Sequence, residues 1–199
     1  MHAGSPLCYR LPVTGTTDMN HVALNTHEIQ HDPPMLCYFA YGSNMSTPRL
    51  LNRVGSAVAV AVACLPAHAL RFHKRGRDGS AKCDAFYTGQ DHDEVHGVVF
   101  RIAAVEKPCL DECEGLGNGY DVKTVTVRGK HGTNYRVFTY CATRIDTRLR
   151  PFHWYREHVL RGAIEHGLQD AYIAAIRGIE SLADPQQHQH ERELAIYPD

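Results

Sequence analysis

Two short segments of the chain bring chemically useful groups together. In Tyr38-Phe39-Ala40-Tyr41-Gly42-Ser43-Asn44-Met45 an apolar run stops at Gly-Ser-Asn. A turn of that composition between a strand and a helix can aim several backbone N–H groups into one concavity, and Gly42 admits a ligand where a side chain would block it. An anion or an oxyanion suits such a place. In Leu110-Asp111-Glu112-Cys113-Glu114-Gly115, acids and a thiol crowd the end of a predicted helix. A carboxylate in a last helical turn sits at the negative end of the helix dipole, an arrangement suited to a general base, and Glu114 is best placed for that role. Taken singly, the first segment is more simply a strand-to-helix turn and the second a solvated acidic face.

The elements that must hold these segments follow from pattern. Leu36 to Ala40 reads as a central strand, and Thr47-Pro48 opens a short helix that Gly55 can end. Ala57 to Leu70, Cys83 to Tyr87 and Val95 to Ile102 have strand composition, with turns at Lys74 to Ser80 and Gly89 to Glu94. Ala103 to Gly115 is a helix with Gly115 as a left-handed cap. Tyr120 to Val127 and Asn134 to Ala142 form a hairpin around Lys130-His131-Gly132. Apolar residues three and four apart predict helices from Phe152 to His166 and from Ala171 to Ile179. Strands with helices gathered late argue for an α+β domain with a mixed, mostly antiparallel sheet. Residues 1–34 lack a period and read as a disordered leader, 35–182 as the domain, and the Gln- and His-rich 183–199 as a flexible tail.

Composition narrows the function classes. With 21 Lys plus Arg against 22 Asp plus Glu, no single-sign field exists to hold nucleic acid or an anionic membrane surface. No apolar run reaches ~18 residues and the start lacks a signal pattern, so a cytoplasmic protein without a membrane span is expected. The 7 cysteines have no disulfide or zinc-ribbon spacing, and Cys109 and Cys113 read as buried packing thiols. The 14 histidines, His188 and His190 included, lack ligand spacing on an ordered element, so no metal is expected.

The two segments in this order, with Val95-His96-Gly97-Val98-Val99-Phe100 and Gly119-Tyr120 between and after them, resemble the gamma-glutamylcyclotransferase (AIG2-like) family over residues 36–180. The resemblance implies a small mixed barrel, no cofactor, and cyclisation of a gamma-glutamyl group to 5-oxoproline with release of an amino acid or amine. It implies Glu114 as the catalytic carboxylate and a substrate pocket lined by Tyr38, Phe39, Ala40, Tyr41, Gly42 and Ser43, with Asn44 supporting the loop. Tyr120 resembles the pocket tyrosine after the catalytic turn, and Tyr155 the aromatic residue of the carboxy-terminal helix. Tyr155 reads equally well as a core aromatic. The sequence departs from the family pattern at Met45, at Cys113 and in the glycine-rich 115–119 run, which concern the leaving-group side of the pocket. Tyr-Gly-Ser-Asn in place of Tyr-Gly-Ser-Leu argues against glutathione as first substrate. The partner expected is a small gamma-glutamyl molecule, and the chain a monomer or homodimer. A binding module keeping the same cavity without turnover is the alternative, since a fold does not guarantee an activity.

Overall fold

The computed structural model describes residues 33–198. The first strand, β1 (Met35–Ala40), starts at the surface and runs into the core: Phe39 and Ala40 have no exposed surface. A 3-10 turn over Ser43–Met45 leads into α1 (Thr47–Leu51), with Pro48 in its first turn, where its missing N–H costs no helical hydrogen bond. Then follow β2 (Val58–Pro66), β3 (His68–Arg75), β4 (Ala81–Tyr87) and β5 (Glu94–Ala103). The helix α2 (Lys107–Glu114) ends at Gly115 in the left-handed conformation, as its sequence predicts. The chain closes with β6 (Tyr120–Gly129), β7 (Asn134–Ala142), α3 (His153–Glu165), α4 (Asp170–Arg177) and α5 (Gln187–Leu194).

Five strands close a barrel in the order β1-β5-β2-β6-β7. Neighbours are antiparallel except at the seam, where Tyr38 on β1 meets Phe138 on β7 in parallel. The expected α+β fold with a mixed, mostly antiparallel barrel is therefore present. The strands β3 and β4 form a separate two-stranded sheet. Ala57 to Leu70, read as one strand, is divided at Ala67, whose φ of 58° turns the chain out of the barrel into the hairpin. Periodicity cannot mark such a break because both halves have strand composition.

The helix α3 lies against the Ser43–Met45 turn, burying Trp154, Tyr155, Val159 and Ala163. Gly162 permits the approach, since a Cβ there would stand 2.4 Å from the Ser46 amide nitrogen. Residues 183–199, expected as a flexible tail, contain α5, which is tied to the body: Glu193 pairs with Arg49 at 2.6 Å, and the Tyr197 hydroxyl donates to Ser46 Oγ at 2.8 Å. A few anchoring side chains suffice to dock a segment whose composition is otherwise that of a solvated one. Of the expected leader, only Pro33 and Pro34 lie within the described residues. The thiols also differ from expectation: Cys113 is exposed and Cys109 half-buried, with Cys109 Sγ near the Arg53 carbonyl at 3.4 Å.

Candidate active site

The Gly-Ser-Asn turn and the end of α2 line one cavity and are joined there by the Asn44–Glu114 hydrogen bond. Tyr38, Tyr41, Gly42, Ser43, Asn44, Glu114, Tyr120 and Tyr155 all line it, and Cys83 and Tyr140 complete the wall. It encloses about 280 Å³ of free space, counting the part open to solvent. Two expected lining residues are elsewhere. Phe39 packs against Gly97 on β5, where strand alternation sends it away from Tyr38, and Ala40 is fully buried in the core.

Asn44 organises the site. Its Nδ2 donates to Glu114 Oε1 at 2.8 Å and to the Tyr38 hydroxyl at 3.0 Å, while its Oδ1 accepts from Arg53 Nη1 at 2.9 Å. Arg53 Nη1 also donates to Glu114 Oε1, at 2.8 Å. Burial would pull the Arg53 guanidinium down, but the Glu114 carboxylate and its neighbours outweigh this and raise it. The carboxylate is thus held through one oxygen, Oε1, by a cation and an amide, at 15% side-chain exposure.

Tyrosines build most of the remaining wall. The Tyr155 hydroxyl accepts the Cys83 amide N–H at 3.0 Å, and the Tyr120 hydroxyl donates to the Cys83 carbonyl, so both backbone groups of one β4 residue are fixed from two elements. Tyr41 donates to the Tyr140 carbonyl, and Tyr140 donates to Asp111 Oδ1 at 2.6 Å. Burial pushes the phenols of Tyr38, Tyr41, Tyr120, Tyr140 and Tyr155 well up, so they remain neutral donors and acceptors. Burial likewise raises the Cys83 thiol, which keeps it from acting as a nucleophile at neutral pH. Gly42 stands so close to β4 that a Cβ would lie 3.0 Å from Cys83 Cβ.

Arg53, Cys83 and Tyr140 were not foreseen, and Asp111, though within the acidic segment, was given no role. Arg53 lies beyond α1 with no motif around it, and the others sit within ordinary strand or helix patterns. Only the need of a half-buried carboxylate for a counter-charge hints that a cation must arrive from somewhere. Among the described residues no cluster of metal-ligating side chains occurs, and no helix is long and apolar enough to cross a membrane.

Comparison with known proteins agrees with this architecture. Residues 94–176 match the AIG2-like family. The mouse protein named gamma-glutamylcyclotransferase is 33% identical over 150 residues, spanning 72% of this chain and 78% of that protein. The human protein of the same name is 32% identical over 153 residues, spanning 75% and 81%. A solved structure described as a gamma-glutamyl cyclotransferase superposes with a TM-score of 0.70 at 27% identity, covering 80% of this chain and 99% of that one. By shared sequence over most of its length and by shared fold, the chain belongs to the gamma-glutamylcyclotransferase family.

Proposed function

We propose that this protein cyclises the gamma-glutamyl group of a small substrate to 5-oxoproline and releases the amine, with Glu114 as general base and then general acid. The observation that carries the reading is the Glu114 carboxylate, anchored by Arg53 and Asn44 in a cavity that the Gly42-Ser43 turn also lines. Glu114 takes a proton from the substrate's α-ammonium, and the freed nitrogen attacks the gamma-carbonyl carbon, closing a five-membered ring. The tetrahedral intermediate then collapses: the bond to the leaving nitrogen breaks as Glu114 returns the proton to it, and the second proton that the ring nitrogen sheds passes to the released amine, which departs as an ammonium. One carboxylate serves both steps, and no protein nucleophile, water or cofactor enters the balance.

The cavity contributes by folding the glutamyl chain so that amine and carbonyl meet, an effect worth about 7 kcal/mol or more in favourable intramolecular reactions. In this reading the Gly42 and Ser43 amides receive the developing oxyanion, at about 3 kcal/mol for a well-aimed donor. The Tyr38 hydroxyl, which accepts from Asn44, retains its own proton to donate to a ligand. Tyr120 and Tyr155 fix the Cys83 wall. A reducing, cytoplasmic setting fits the free thiols of Cys37, Cys64, Cys83, Cys113 and Cys141.

Turnover of a gamma-glutamyl amino acid in ¹⁸O-labelled water tests the route. Cyclisation yields 5-oxoproline without label. Formation of glutamate carrying ¹⁸O in its gamma-carboxylate would mean hydrolysis and would overturn the proposal.

A further inference from the structure

A second cavity lies between β3, the β4–β5 turn and α4, and about 300 Å³ of it is open to water. That is room for a small organic ligand. Tyr172, Ala175 and Ile176 on α4, with Ile179 just beyond its end, follow one another at three, one and three positions and so form a single apolar stripe. They line the cavity together with Leu70 and Phe72, which share a face of β3. The stripe and the strand do not close on each other. At Ala67 the chain turns out of the barrel into β3, whereas α4 is fastened to β5: the Tyr172 hydroxyl accepts the His96 amide N–H at 3.2 Å and donates to the His96 carbonyl at 3.3 Å. The space between is thus built into the fold. Leu70, Phe72, Tyr172 and Ile179 are left half-buried, as apolar surface that a ligand would remove from water.

The charged residues of the wall set the charge of the ligand. Asp93 and Glu94 line the cavity, and no lysine or arginine does. The Asp93 amide N–H donates to the Gln90 carbonyl at 3.0 Å, closing a tight turn that holds the residue in place. Among the described residues the ion-pairing partner of its carboxylate is the His92 ring, 3.7 Å away and 80% exposed. Glu94, by contrast, already pairs with Arg128 at 2.5 Å. We propose that this cavity binds a small primary ammonium compound with an apolar body, the ammonium against Asp93 and the body between the α4 stripe and β3. The site shares no lining residue with the cavity around Glu114 and does not rest on the reaction proposed above. The two are neighbours across one pair of rings, Phe72 and Tyr155, which meet edge to face at 6.4 Å.

Phenethylamine, phenethyl alcohol and hydrocinnamate carry one aromatic ring on an ammonium, a hydroxyl and a carboxylate, and titration calorimetry with the three on the full chain tests the site. The wild type is expected to bind phenethylamine with a Kd of about 1 mM or below. Its affinity for the amine should exceed that for the alcohol by about fivefold or more, as a charge-assisted hydrogen bond gives, with hydrocinnamate weakest. Asp93→Asn is expected to abolish the preference for the amine, and Glu94→Gln to reduce it by a smaller factor, because Arg128 already engages that carboxylate. Ala175→Trp, which fills the cavity from an exposed helix position, should abolish binding of amine and alcohol alike, with Ala175→Leu in its place should the first not fold. Glu114→Gln should leave the affinities unchanged, which separates this site from the catalytic cavity. No measurable binding of phenethylamine by the wild type, equal binding of amine and alcohol, binding that survives Ala175→Trp, or binding lost in Glu114→Gln would overturn the proposal. So would a dimer in sedimentation that Ala175→Trp dissociates, since a second copy of the chain would then fill the cavity.

Discussion

Glu114 is a held group. Oε1 takes both hydrogen bonds, from Asn44 and Arg53, which fixes the carboxylate while leaving Oε2 with no protein donor among the described residues and therefore disposable toward a ligand. Arg53 is a positioning residue in this scheme. Replacing it with Met is expected to destabilise the fold by about 1.5–3 kcal/mol through loss of the charged hydrogen bonds, and to lower kcat more than it raises KM, which steady-state kinetics and urea unfolding together would check. A fall in stability with unchanged kcat would reduce Arg53 to a structural part. At this scale the sequence was informative where backbone and side chain share a motif: the Gly-Ser-Asn turn and Glu114 do line one cavity. Arg53 was invisible because its role depends on a contact 61 residues away in the chain, and Phe39 was misassigned because a strand sends neighbours to opposite faces.

The elements set these distances. The close approach of α3 to the Ser43–Met45 turn requires Gly162, and a Cβ there would meet backbone atoms of Met45 and Ser46 at 2.4–2.6 Å. Gly162→Ala is expected to cost about 1–3 kcal/mol, as overpacking does, and to reduce activity because the turn must shift; a melting temperature and a turnover rate equal to wild type would contradict this. The carboxy-terminal helix α5 adds a pH dependence. Burial, aided by Arg49 and Arg53, holds the His158 imidazole at about 4. Burial pushes Glu193 up, but His158 and Arg49 outweigh it and hold its carboxyl at about 2. Both values lie below the ordinary 6.5 and 4.5, so the unfolded chain binds more protons as pH falls. Stability is then lost from about pH 6.5 downward through His158, and from about 4.5 toward 2 through Glu193. Urea unfolding between pH 7 and 4 should show this slope, and His158→Gln should flatten it whatever its absolute stability. None of this was legible in Gln187-His188-Gln189-His190, since docking comes from Glu193 and Tyr197 reaching Arg49, His158 and Ser46.

For the whole molecule, the strand pattern and late helices were enough to anticipate an α+β domain, because β1, β5 and the β6–β7 hairpin carry strong apolar or turn signals, while closure into a barrel was implied by the family resemblance. The excursion of β3 and β4 was not legible, since it depends on one left-handed residue, Ala67, within a continuous strand-like run. That excursion matters for function: β4 brings the Cys83 backbone to Tyr120 and Tyr155, and β3 brings Lys74 to the Tyr120 ring. The two-stranded β3–β4 sheet thus supplies, through Cys83, a part of the cavity wall that the barrel strands do not. The most direct measurement is 5-oxoproline release from a panel of gamma-glutamyl amino acids, gamma-glutamyl amines and glutathione, by the wild type and by folded Glu114→Gln. The account predicts turnover of at least one member by the wild type and a rate lower by about 10²–10⁴-fold in the variant; equal rates from the two proteins, or no turnover by the wild type across the panel, would contradict it.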